Sequence, residues 1–179
     1  MCSSDLTIID DLLELSTSGH PPPGQVTVDA TLRELLDDLA PVLADATVDL
    51  AVPPCVAACA PGVFHQIVRN VMTNAIKFQS PERPLAVRIE ARHLDATIEL
   101  AISDNGIGMP PDVIERAFEP FFRGRVGKSV PGHGLGLAIV KRTVEALGGS
   151  CKLESELDRG TRVLIRIPAV ASAEARQSA

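Results

Sequence analysis

Asn70, Asn74 and Lys77 stand four and three residues apart in the segment HQIVRNVMTNAIKF, residues 65–78. In a helix that spacing stacks the three side chains on adjacent turns. Apolar residues at Ile67, Val68, Val71, Met72, Ala75 and Ile76 recur with the period of one buried helical stripe. Asparagine prefers caps and turns to helix interiors, so two of them one turn apart need a cause. Two amide oxygens followed by an ammonium suit a hard cation and a phosphate. The same row also suits an ordinary solvated helix face.

Further along, Asp104, Asn105, Gly106, Ile107 and Gly108 close an alternating segment. A carboxylate only accepts hydrogen bonds, so Asp104 suits an exocyclic amino group and would favour adenine over guanine. A DNG triplet is equally a common hairpin turn. The run GHGLGL at residues 132–137 places glycines at alternate positions before a helical pattern. Exposed N–H groups and a helix N-terminus together bind phosphates. This is no dinucleotide fingerprint, since Leu137 stands where a third glycine belongs and no strand closely precedes it. Nor is GRVGKS at 124–129 a P-loop, because two residues rather than four separate its glycines. Phe118, Phe121 and Phe122 gather in FEPFFR, at the start of a basic, glycine-rich loop, where they could anchor a lid or form a small satellite core. Gly160 and Thr161 can bring a hydroxyl to a turn.

The elements that must hold these residues follow from periodicity and punctuation. Residues 6–16 read as a helix with Leu6, Ile9, Leu13 and Ser16 at bundle-seam spacing. Gly19 stops it, and three prolines at 21–23 stiffen a linker. A strand is expected at 25–28, then a helix capped by Asp29 or Thr31 and running to about residue 44 with a kink at Pro41. Alternation marks strands at 47–52 and 56–58, with Pro61 in the first turn of the next helix. Residues 85–92 and 97–103 form a hairpin across 93–95, and 110–117 a short helix. An amphipathic helix spans 135–147 and ends at Gly148 and Gly149. Strands at 151–156 and 161–167 turn at 158–160, and the small, polar residues 169–179 are expected to be disordered. This pattern predicts an α+β fold: a two-layer α/β sandwich, its mixed, mostly antiparallel sheet carrying about three helices on one face.

Composition narrows the classes of function. The chain has 179 residues, 45% hydrophobic and 22% charged, with a formal charge of -6. That charge disfavours nucleic acid as a partner. No apolar run approaches the roughly 20 residues that span a bilayer. No signal-peptide pattern opens the chain, so the expected setting is the cytoplasm without membrane contact. The four cysteines show neither CxxC nor zinc spacing and read as reduced thiols. There is no Trp or Tyr, and all five Phe residues flank the Asn/Lys helix or lie in the 118–122 segment.

Taken in order, NxxxNAxK, DNGIGM, FEPFFRG, GHGLGLAIVK and RGTRV resemble the ATP-binding catalytic domain of sensor histidine kinases, within the GHKL superfamily. The resemblance covers residues 25–168. It implies ATP and Mg²⁺ as cofactors, with Asn74 and Asn70 as metal ligands. Asn70 and Lys77 would act at the phosphates, and Asp104 would take the adenine amino group, aided by Thr161. Gly106, Ile107, Gly108 and Met109 would line the adenine pocket. Phe122 and Arg123 belong to a phenylalanine box, and residues 110–131 to an ATP lid. Gly132, His133, Gly134, Leu135, Gly136 and Leu137 would cradle the phosphates, with Lys128 a further candidate.

The resemblance also implies a division of labour. None of His20, His65, His93 and His133 lies in a segment similar to the family's SHELRTP acceptor motif. DLLELS at 11–16 resembles the end of a second dimerisation helix. The expected organisation is therefore a helix remnant at 1–19, a linker at 20–24, the catalytic domain at 25–168 and a tail. The expected activity is donation of the γ-phosphoryl group to a histidine on a dimerisation domain outside this chain. A response regulator lies downstream. The fragment is expected to be monomeric and unable to autophosphorylate alone, and the parent to be a homodimer. Superfamily hydrolases carry a glutamate where Asn70 stands, and an amide cannot serve as a general base. A hydrolase and a partner-switching binding module are the alternatives. The position just before the central helix, usually aspartate in the family, is Ala60.

Overall fold

The computed structural model describes residues 19–124 and 130–170. The helix expected at 6–16 and Lys128 lie outside them. Among the described residues, seven strands and four α-helices run in the order β1 (Val26–Thr27), α1 (Val28–Leu39), β2 (Thr47–Ala51), β3 (Val56–Ala57), α2 (Pro61–Lys77), β4 (Ala86–Leu94), β5 (Thr97–Asp104), α3 (Pro111–Ile114), α4 (Gly136–Ala146), β6 (Ser150–Glu156) and β7 (Gly160–Pro168). The main sheet has the order β2-β4-β5-β7-β6. Only β2 against β4 is parallel; the other pairs are antiparallel. β1 and β3 pair separately. The predicted α+β sandwich with a mixed, mostly antiparallel sheet is the fold observed.

The helical layer forms because three apolar stripes meet one sheet face. Phe64, Ile67, Val68, Val71, Met72 and Ala75 of α2 are buried, as are Ala138, Ile139, Val140, Thr143 and Val144 of α4. Val28, Leu32 and Leu35 of α1 complete the layer. They close on Ile89 of β4, on Ile98, Leu100 and Ile102 of β5, and on Val163, Ile165 and Ile167 of β7. Each deep aliphatic side chain contributes roughly 1.5–3 kcal/mol of burial. Burial also pushes the thiols up, to about 11 at Cys59 and about 12 at Cys151, so both stay protonated at neutral pH.

The other sheet face is polar. Strand alternation turns Glu99 away from the core formed by its neighbours Ile98 and Leu100. Glu99 pairs across the sheet with Arg92 and Arg166. Oε1 accepts from Arg92 Nε at 2.8 Å, and Oε2 from Arg166 Nε at 2.8 Å. The Arg166 hydrogen bond, and then Arg92, hold this carboxyl below its ordinary range against the cost of its own burial.

Several local expectations differ from the structure. Neither Asp29 nor Thr31 caps α1. The cap position is Thr27, which makes no side-chain cap bond, because the β1–β3 pairing brings Cys55 O to 3.0 Å from Val28 N and fixes the helix start. Pro41 ends the α-helix rather than kinking it, since a 3-10 turn spans Ala40–Val42. Pro61 does lie in the first turn of helix α2, as expected, and Val63 and Phe64 both donate to Ala60 O. The β4–β5 turn is tighter than predicted and uses Asp95 in a left-handed conformation. Ala169 and Val170, placed in the expected tail, donate to Ala96 O and Val56 O at 2.8 and 3.0 Å.

Candidate functional site

One cleft of about 1480 Å³ opens along α2, between the β5 end, the α3 segment and the entry to α4. Asn70, Asn74 and Lys77 line it from α2, facing Gly132, His133, Gly134, Leu135, Gly136 and Leu137. Asp104, Ile107, Gly108, Met109 and Thr161 line another part of its wall, and Phe122 and Arg123 a third. Among the described residues predicted for the nucleotide and metal site, Gly106 alone is not on the wall. It is buried, and a Cβ there would stand 2.4 Å from Phe78 O.

The β5 end is held by backbone groups. Asp104 Oδ1 accepts from Gly106 N at 2.8 Å and from Thr161 N at 3.3 Å. Both bonds use one oxygen, which leaves Oδ2 for a ligand. Burial raises the carboxyl above its ordinary value, and the two N–H donors pull it partly back. Ile107 is pinned on both sides: its N–H donates to Phe78 O at 3.0 Å and its carbonyl accepts from Asp158 N at 2.8 Å. Gly108 has φ +64, and a Cβ there would fall 1.9 Å from Glu156 O, so no other residue fits between the DNGIG turn and β6. Met109 N donates to Ser155 Oγ at 2.9 Å. That hydroxyl lies 3.0 Å from Thr161 Oγ1.

The α2 end is set by side chains against a glycine-rich backbone. Asn70 Nδ2 donates to Gln66 O at 3.1 Å, which orients the amide. Its Oδ1 then stands 3.2 Å from where a Cβ on Gly136 would be. Lys77 Nζ stands 3.3 Å from the corresponding point on Gly132. The helix and the glycine run thus approach at two points, and Gly136 is the first residue of α4. Among the described residues no three His, Cys, Asp or Glu side chains gather to hold a metal ion. A hard cation here would draw on amide oxygens, ligand oxygens and water, which suits Mg²⁺.

The aromatic segment borders the cleft, with Phe122 on its wall and Phe121 56% exposed. Arg116 lies 4.1 Å over the Phe122 ring and pairs with Glu119 at 2.8 Å. Phe121 is left-handed at φ 63 and donates its N–H to Gly134 O at 3.0 Å. Arg123 Nη2 donates to Val130 O across residues 125–129, which are not described. Sequence reasoning passed over Ser155, Arg83 and the Phe78 carbonyl. Strand alternation could have flagged Ser155, which shares a face with Leu153.

Residues 60–171 match the model of the family described as histidine kinase-, DNA gyrase B- and HSP90-like ATPase. The chain is similar to the sensor histidine kinase AruS of Pseudomonas aeruginosa, 36% identical over an alignment of 170 residues that covers 87% of this chain and 17% of that protein. Among solved structures it is similar to the mycobacterial sensor histidine kinase MprB, with 29% identity, TM-score 0.74, and coverage of 83% of this chain and 100% of that one. It is also similar to full-length ShkA in complex with AMPPNP, with 29% identity and TM-score 0.79, covering 94% of this chain and 36% of that one. The chain spans about a third or less of the length of the curated relatives it matches.

Proposed function

The chain belongs to the histidine kinase-, DNA gyrase B- and HSP90-like ATPase family, and we propose that it binds ATP with Mg²⁺ and donates the γ-phosphoryl group to a histidine on a dimerisation domain, for relay to a response regulator. One observation carries the reading. A single cleft joins a carboxylate that has a free acceptor to an Asn/Lys row facing glycine-rich backbone. Its similarity to sensor histidine kinases supports the same assignment.

Asp104 would take the adenine amino group through Oδ2, since a carboxylate only accepts hydrogen bonds. The N–H groups of residues 132–136 and the N-terminus of α4 would hold the phosphates. Lys77 would add a point charge at Gly132. Asn74 and Asn70 would hold Mg²⁺ through their Oδ1 atoms. When bound, Mg²⁺ neutralises charge on the triphosphate. Because Asn70 is an amide, the protein brings no general base to a water at that position, and the phosphoryl group is kept for an incoming nucleophile.

Proposed domain limits follow the same reading: a remnant of the second dimerisation helix at 1–19, a linker at 20–24, the catalytic domain at 25–168 with its lid at 110–131, and a tail at 169–179. Incubation with labelled ATP and Mg²⁺, alone and with a separately expressed dimerisation domain, tests it. Acid-labile label on the added domain is the expected result. Steady phosphate release without any acceptor would reassign the chain to hydrolysis.

A further inference from the structure

Arg83 occupies the loop between α2 and β4, in the run PERP at 81–84. Pro84 disfavours the helical conformation for it. Its guanidinium reaches three backbone carbonyls on two other loops. Nε donates to Asn105 O at 2.8 Å and Nη2 to Gly106 O at 3.0 Å. Nη2 also donates to Asp158 O in the β6–β7 turn. Asn105 locks the same seam, its Oδ1 accepting from Ala86 N at 2.9 Å and its Nδ2 donating to Pro84 O at 3.0 Å. Arg83 itself is not among the residues lining the cleft.

The two loops it joins carry the two halves of the Asp104 clamp. The first contains Gly106, whose N–H binds Asp104 Oδ1. The second leads into Thr161, whose N–H binds the same oxygen. Asp158 in turn donates to Ile107 O. A planar fork meets these acceptors from two nitrogens held in fixed directions, whereas an ammonium offers its three donors from a single point. We propose that Arg83 is a positioning residue for base selectivity: by clamping the Asn105–Gly106 turn to the Asp158 turn from outside the cleft, it sets the direction of Asp104 Oδ2. This deepens the nucleotide reading and rests on it.

The test compares ATP with inosine triphosphate, whose six-position carbonyl cannot donate to Asp104. Both affinities are measured by calorimetry at 10 °C for the full chain and for Arg83→Ala and Arg83→Lys. The wild type prefers ATP. Arg83→Ala weakens ATP about tenfold, the equivalent of one well-made hydrogen bond. It changes inosine triphosphate little, so the preference narrows, and Arg83→Lys falls between. Equal weakening of both nucleotides, or an unchanged preference in both variants, would overturn the positioning role and leave ATP binding standing. A wild type with no preference would instead refute base recognition by Asp104, and this proposal with it. Should Arg83→Ala fail to fold, the Arg83→Lys ratio decides alone.

Discussion

The Asn70 side-chain oxygen lies 3.2 Å from the point where a Cβ on Gly136 would stand. A mid-helix amide of α2 and the first residue of α4 therefore share one contact, in which the Asn/Lys row meets the glycine-rich run. A Cβ at that point would crowd the oxygen. The contact also explains why an asparagine tolerates the helix interior: its amide nitrogen is tied back to Gln66 O, one turn earlier.

Gly136→Ala separates site from stability. Alanine raises helix propensity by up to about 1 kcal/mol, so thermal stability holds or improves. The added methyl presses on Asn70 Oδ1 and turns the amide from its position. Mg²⁺-dependent affinity for ATP falls by roughly tenfold, the equivalent of about 1.4 kcal/mol. Calorimetry with and without Mg²⁺, paired with a melt, checks this; equal affinities for the two proteins would remove Asn70 from the metal edge.

Asp104 gives binding and stability opposite pH dependences. Its folded pKa is raised by burial, so the native state keeps the proton to higher pH than the unfolded chain, whose carboxyl titrates near about 3.9. Its contribution to stability is full below that value and is lost as pH rises through the raised pKa. In the proposed role of Asp104, nucleotide binding needs the ionised acceptor and falls as pH drops through the same window. Asp104→Asn is therefore expected to leave the empty protein as stable or more so at neutral pH, while ATP affinity drops at least tenfold and loses its acid limb. A titration in which both proteins show the same pH profile would contradict this.

The readable and unreadable parts of the chain divide by the range of the forces involved. Helix α2 is visible because its stripe repeats locally, and the glycine runs announce close backbone approach by composition alone. Strand alternation located β4 and β5 but carries no direction, so the parallel β2–β4 pairing left no local mark. The α1 start was misread because the Val28–Cys55 bond, from a strand pair formed across a loop, outweighs a side-chain cap. Arg83 was invisible because its acceptors stand 22, 23 and 75 residues away. Gly106 was read as pocket wall from its motif, whereas packing against Phe78 O decides its place.

Glu99 holds the far sheet face together, and its loss is expected to be independent of the site. The side chain is 5% exposed between two arginines that are 66% and 48% exposed. Because those partners are well solvated, Glu99→Gln costs only about 1–2 kcal/mol. That lowers the melting temperature by roughly 3–6 °C. The depressed carboxyl contributes stability above the unfolded pKa and loses it as pH falls through the folded one. The gap between variant and wild type is thus constant near neutrality and closes in acid. Melts from pH 7 to pH 3 read it directly, and ATP affinity at pH 7 stays unchanged.

Thr143 offers the reverse case. It is 1% exposed within α4, and its Oγ1 has no hydrogen-bond partner among the described residues. A buried hydroxyl without an acceptor costs about 1–3 kcal/mol relative to an apolar group of the same shape. Valine keeps the β-branch and its rotamer preference while replacing the hydroxyl with a methyl. The neighbours Ile139, Val140 and Val144 are all buried and apolar, so the methyl meets compatible surface. Thr143→Val is expected to raise stability by about 1 kcal/mol, seen as a melting temperature higher by roughly 2–4 °C, with nucleotide affinity unaltered. A lower melting temperature would mean that the hydroxyl bonds back to the Ile139 carbonyl one turn earlier, and that the bond outweighs the cost of burying it.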